Sequence, residues 1–314
     1  MVFTFRQVIV SGTQEGVEGV SAALQELNTF MQDAGWSLVD DRSAEPGTNI
    51  DSTHHKIVWS SNGEQGNYPT FFVTAYSGTG TPTDSSRISI DVHSAYDVGT
   101  HTFPASGVRS ASTNLTGIGS TQSAVQVRSQ DDNTELYISG DSEMVALVTR
   151  KTIDNSAGTT MDSICFGRFN SFMSVNENPY PLLVNGDSTV GGGVVTTNFN
   201  SVRGIGGNPP AGFNQNNDME VLAHQFTSNQ QPYDLGSAND VWVALPFLVT
   251  YDDTSPIPRS GIAGTVRNAW VGAESFILNN LSILTASGTF GVQKYQAFNH
   301  ETFSNVSSLI IRIE

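Results

Sequence analysis

TQEGVEGVSAALQELNTFMQDAG, residues Thr13 to Gly35, is the one long helical signal in a chain of 314 residues that otherwise reads as strand and turn. Val17, Val20, Leu24, Leu27 and Met31 recur at spacings of three and four and share one stripe, with Phe30 beside it. Thr13 is placed to cap the N-terminus, and Glu15 and Glu18 put negative charge at the positive end of the helix dipole. Gly35 stands where a left-handed C-cap stops the helix. Trp36-Ser-Leu-Val-Asp-Asp then reads as a strand leaving that end, with Trp36 and Leu38 on one side. A single helix with one apolar stripe needs a sheet to lie on, and the strands around it supply one. The expected fold class is mainly β with an N-terminal α+β part: antiparallel, sandwich-like sheets and one long amphipathic helix near the N-terminus.

Working outward, Val2 to Val10 reads as an opening strand with Phe3, Phe5 and Ile9 on one side. Ser43 to Thr53 reads as a loop, and Lys56 to Ser60 and Thr70 to Tyr76 as strands about the turn-rich Asn62-Gly-Glu-Gln-Gly-Asn. Arg87 to His93 alternates Ile88, Ile90 and Val92 inward with Arg87, Ser89, Asp91 and His93 outward, the pattern of a sheet with one wet side. Tyr96 to Gln122 is polar and aperiodic, a long excursion of the kind that lies over a partner or a surface. Ala124 to Arg128, Glu135 to Ser139 and Met144 to Arg150 form a meander, expected in the same sheet as the strands under the helix. Gly186 to Gly212, with Gly191-Gly-Gly and Gly204-Ile-Gly-Gly-Asn-Pro-Pro, is the strongest break in composition. Apolar segments follow at Met219 to Phe226, Asp240 to Tyr251, Ala263 to Val271, Phe276 to Leu284 and Val292 to Phe298, and Ser308 to Glu314 closes the chain by alternation. The expected organisation is an N-terminal α+β domain over 1–185, a Gly/Asn/Pro-rich loop over 186–218, and a C-terminal β region over 219–314 that completes the fold or forms a second domain.

The formal charge is −16, with Lys56, Lys151 and Lys294 the only lysines, so the chain has no basic stripe to grip a nucleic-acid backbone or an anionic membrane. Sequence-specific nucleic-acid binding and membrane insertion are therefore not expected. The most apolar run, Val241 to Tyr251, is too short to span a bilayer and contains Pro246. The N-terminus, with Arg6 inside its apolar stretch, does not read as a secretory signal, and a cytosolic origin is expected. Cys165, the only cysteine, sits in Ile164-Cys-Phe with no adjoining His or Lys, so it reads as an inert core thiol.

Candidate chemistry reduces to ordinary structure at each place it arises. Gly140-Asp-Ser and Gly186-Asp-Ser lack the Gly-x-Ser-x-Gly spacing of a nucleophile elbow and read as tight turns. His54, His55, His93, His101, His224 and His300 are scattered, and the adjacent pair would point to opposite faces of a strand. Asp131-Asp-Asn-Thr-Glu lacks the spacing of a calcium loop. Nothing in the sequence brings Asp40-Asp41 to Asp252-Asp253 as a carboxylate pair. Gly204-Ile-Gly-Gly precedes no helix, and Pro209-Pro210 blocks one. Trp36, Trp59, Trp242 and Trp270 lie in apolar strands, which leaves Tyr180 and Tyr233 as the aromatic candidates for stacking on a sugar. The reading is catalytic residues none, cofactor none, metal none.

Five runs carry a resemblance: the helix end Asp33-Ala-Gly-Trp with Ser-Leu-Val-Asp-Asp after it, Glu135-Leu-Tyr-Ile-Ser-Gly-Asp, Phe166-Gly-Arg-Phe, Tyr295-Gln-Ala-Phe and Ser308-Leu-Ile-Ile-Arg. Together they resemble structural proteins from the particles of tailed bacteriophages. The resemblance implies a non-enzymatic virion component at the neck or collar, tail or baseplate, or decorating the capsid. It would be a homo-oligomer whose partners are other copies of itself and neighbouring virion proteins. The alternative is a β-sandwich recognition module for a host cell-surface glycan.

Overall fold

The structure, a computed structural model, describes residues 3–10, 17–46, 55–61, 68–77, 87–102, 124–126, 133–151, 161–175, 180–187, 203–205, 219–222, 244–253, 259–272, 281, 283–288, 291–299 and 308–314. In chain order the elements are β1 (Thr4–Val10), α1 (Val17–Asp33), β2 (Ser37–Pro46), β3 (His55–Ser61), β4 (Phe71–Ser77), β5 (Arg87–His93) and β6 (Ala124–Gln126). They continue with β7 (Thr134–Gly140), β8 (Met144–Lys151), β9 (Met161–Arg168), β10 (Asn170–Ser171), β11 (Leu182–Asp187) and β12 (Arg203–Ile205). The last are β13 (Met219–Leu222), β14 (Ala244–Asp253), β15 (Arg259–Gly272), β16 (Ile283–Gly288), β17 (Gly291–Asn299) and β18 (Ser308–Arg312). The fold is mainly β, with antiparallel sheets and, among the described residues, a single helix near the N-terminus.

Three sheets form. The helix-side sheet runs β2-β3-β4-β5-β6, the central sheet β1-β7-β8-β9-β11-β12, and the C-terminal sheet β13-β14-β15-β18-β17-β16, with β10 joined to β15. Period-two alternation in the central strands explains the stacking. Leu136, Ile138, Val145, Leu147, Ile164, Phe166 and Leu182 share one core with α1 and the helix-side sheet. Their neighbours Tyr137, Met144, Ala146, Val148, Cys165 and Leu183 share another with β14, β15, β17 and β18. β7, β8, β9 and β11 are therefore apolar on both faces, and β8 is a near-continuous apolar run because it is covered from both sides.

The helix is anchored as its C-terminal glycine predicts. Gly35 has φ +94°, its N–H donates to the Gln32 carbonyl (3.0 Å), and the Trp36 N–H donates to the Met31 carbonyl (2.9 Å). This is a Schellman motif, and its apolar contact is present because Met31 and Trp36 are buried in the same core. The helix contacts β1 and β7 of the central sheet as well as β2 to β5, so it fills the space between two sheets.

Several sequence expectations are corrected here. The expected three-strand meander is split between two sheets: β6 pairs with β5 in the helix-side sheet, whereas β7 and β8 join β1 in the central sheet. Partners as distant in sequence as Thr4 and Gly140 carry no local signal. Ile9 is exposed, whereas Val10 enters the core. Trp36 is buried and Leu38 exposed, because Trp36 belongs to the helix cap and β2 begins only at Ser37 with an irregular register after Leu38. β2 also runs on to Pro46, into the segment read as loop. His93 does not face water: it is wholly buried, as are Thr74 and Tyr76 on the same sheet. β12 lies inside the glycine-rich segment 186–218, and the last predicted segment before β17 forms its strand later, at Ile283–Gly288. Thr13, residues 103–123 and most of 188–218 lie outside the described residues.

Candidate functional site

Among the described residues, a dense polar assembly forms about the tight turn Gly140-Asp-Ser-Glu between β7 and β8. Its form follows from Asp141, whose Oδ1 accepts the N–H groups of Glu143 (2.8 Å) and Met144 (3.1 Å), while the Asp141 N–H donates to the Met144 carbonyl (3.0 Å). Both Asp141 and Glu143 are buried, so every remaining polar atom needs a partner from elsewhere. The three neighbouring layers supply them. The Trp36 indole N–H donates to the Asp141 carbonyl (2.8 Å), and the Ser61 hydroxyl donates to the Ser142 carbonyl. From the C-terminal sheet, the Asn268 side-chain amide donates to Asp141 Oδ2 (2.7 Å), its residue held at φ +59° on β15.

Arg168 closes the same junction from β9. Its guanidinium lies 3.3 Å from the Glu143 carboxylate, donates to the Pro69 carbonyl (2.5 Å) and stacks over Tyr68 and Phe71. Burial lowers its basicity, and Glu143 acts in the opposite direction. β9 can approach the turn this closely because Gly167 stands there, with φ +125° and a position where an added Cβ would be 2.2 Å from the Glu143 carbonyl oxygen. Nearby, the Ser139 hydroxyl donates to the Arg312 carbonyl (2.5 Å), and the Tyr137 ring meets Phe298 edge-on at 4.9 Å. The helix, the helix-side sheet and the C-terminal sheet are thus fastened to one hairpin of the central sheet.

A second assembly lies on the other face of the helix-side sheet. Asp40 Oδ2 accepts the Tyr96 hydroxyl (2.5 Å) and the His101 Nδ1–H (2.8 Å). Lys56 Nζ donates to the His101 carbonyl (2.9 Å) and to the Tyr96 hydroxyl (3.3 Å). Burial pushes the Asp40 carboxyl up, but Tyr96, His101 and Lys56 outweigh it and hold the group below the ordinary carboxylate range. Burial pushes Tyr96 up strongly and Lys56 down. The members bond mainly to one another, and these bonds tie residues 96–102 to the sheet.

The residues singled out in the sequence are distributed as follows. Gly140-Asp-Ser is the tight turn expected, and Gly186-Asp lies at the end of β11. Cys165 is buried and its thiol is pushed up to about 12 by burial, an inert thiol. Asp40 and Asp41 sit on β2, Asp252 and Asp253 on β14, in different sheets. Trp59 is buried with its indole N–H on Asn28 (2.8 Å), and Trp270 stacks edge-on with Tyr295 at 5.1 Å. Tyr180 is half-buried against the helix-side core. His55 begins β3, and His54, His224, His300, Asp131, Trp242 and Tyr233 lie outside the described residues. Among the described residues no group of three or more His, Cys, Asp or Glu is placed to hold a metal ion, and no helix is long and apolar enough to cross a membrane. Sequence reasoning missed Asn268, Arg168 and Lys56; a lone charge inside an apolar run was the available signal for the last two. Neither a protein-family model nor a curated protein matches the chain.

Proposed function

We propose that this chain is a non-enzymatic structural part of a tailed-phage particle, present in symmetry-related copies at the neck, tail or baseplate. The observation carrying the proposal is where the five runs that resemble such proteins meet. Trp36, Arg168, Phe298 and Arg312, one from each of four runs, bond to or pack against the β7–β8 hairpin, which the fifth run, ending in the turn residue Asp141, itself forms. The resemblance therefore lies in the frame that fixes the three layers against one another. A particle component needs such a frame, because contacts with neighbours are transmitted through it. Exposed apolar side chains on the C-terminal sheet and its margin, Phe172, Ile262, Ile283 and Val292, supply surface for protein contact.

The test is quantitative mass spectrometry of purified phage particles encoded with this gene. The chain is expected in intact particles at a copy number that is a multiple of the symmetry of one particle region. Its absence from washed, intact particles ends the proposal.

A further inference from the structure

We propose that residues 96–102 form an acid-released strap over the second face of the helix-side sheet, fastened by the Asp40 carboxylate. The strap is a small hairpin closed by the Asp97 N–H to Thr102 carbonyl bond (2.8 Å) and its reciprocal (3.2 Å). The Asp97 carboxylate shapes its tip by accepting the N–H groups of Gly99 (2.8 Å) and Thr100 (3.3 Å). A hairpin of this size does not persist alone in water, so what ties it to the sheet decides whether it forms. The Tyr96 ring lies against Phe72 (6.2 Å) and under the Lys56 ammonium (5.4 Å). Phe72 is the register partner of the wholly buried His93 on β5.

Charge from each neighbouring element decides the direction. β2 presents Asp40 and Arg42, β3 presents Lys56, β5 presents His93, and the strap itself carries Tyr96, Asp97 and His101. Asp40 is the one anion that binds both Tyr96 and His101, and without its charge Lys56 and Arg42 face a neutral group. The carboxylate is held below 3.8 in the closed form, so its fastening is complete above that value and is lost as pH falls through the depressed one. His93 is held down to about 3 by burial and by Lys56, so closure weakens as pH falls from 6.5 towards that value. Release therefore waits for Asp40 to lose its charge or for His93 to be hydrated.

Residue-resolved hydrogen exchange of the full chain, normalised to intrinsic rates, tests this between about pH 7 and pH 3. The amides of Asp97 and Thr102 are expected to lose protection by at least about tenfold while those of β8 keep theirs. Asp40→Asn is expected to lower strap protection already at neutral pH, and His93→Phe to move the wild-type loss to lower pH. Protection that stays flat to pH 3, or is lost only together with β8, overturns the strap. Unchanged protection at neutral pH in Asp40→Asn overturns the assignment of its fastening.

Discussion

Replacing Asp141 by alanine removes three hydrogen bonds to a buried carboxylate, those from Glu143 N–H, Met144 N–H and the Asn268 amide. Bonds to a charged acceptor contribute on the order of 1.5–3 kcal/mol each, and members of one network do not add fully, so the loss is about 3–6 kcal/mol. Against a total of about 5–15 kcal/mol for a natural domain, that leaves the variant at the edge of folding. Asp141→Asn keeps an oxygen for the two turn amides, and Asn268 can rotate its own amide to face the new NH2. Its cost is accordingly about 1–2 kcal/mol. Asn268→Gly is the cleaner partner for a double-mutant cycle, because alanine at φ +59° would add backbone strain unrelated to the bond. Urea unfolding followed by the fluorescence of buried Trp36 and Trp59 measures each variant. A coupling of about 1.5–3 kcal/mol between Asp141→Ala and Asn268→Gly is expected. Coupling indistinguishable from zero, or an Asp141→Ala cost below about 1 kcal/mol, refutes the turn as the fastening between central and C-terminal sheets.

Other consequences follow from the same junction. Gly167→Ala is expected to prevent soluble folding, since its Cβ would stand 2.2 Å from a backbone oxygen. Gly35→Ala should cost only about 1–2 kcal/mol by urea titration, because its nearest neighbour is an ordinary 3.5 Å away and only the left-handed backbone is penalised. Arg168→Ala removes the buried cation beside the Glu143 carboxylate and should cost about 3–5 kcal/mol, most of it recovered when Glu143 is also made apolar, as thermal unfolding of the single and double variants will show. Cys165, pushed up to about 12 and buried, should resist a thiol reagent at mildly alkaline pH until the chain unfolds, with one equivalent reacting in denaturant.

What could be read in the sequence was what neighbouring residues decide. The Gly35 cap, the alternation of β7 and β8 and the Asp141 turn between them are local, and all three are present in the structure, as is the part of the helix stripe formed by Leu24, Leu27 and Met31. The sheet to which β1 belongs was not legible, because Thr4 pairs with Gly140 and nothing nearby encodes that distance. Alternation puts His93 on the wet side of its sheet, but alternation reports the face a side chain takes and not what covers that face, and both His93 and Lys56 are buried. The partners of Asp141 were illegible for the same reason: Trp36 and Asn268 lie 105 and 127 residues away. Gly140-Asp-Ser was legible as a turn, but its role as the meeting point of three layers required the long-range pairing.

Differential scanning calorimetry of the full chain tests most directly whether these layers are one mechanical unit. Two cores share the central sheet, so the three sheets should melt together in a single transition whose calorimetric and van't Hoff enthalpies agree. Two separated transitions, with the C-terminal sheet melting independently of the helix-side one, would contradict the account.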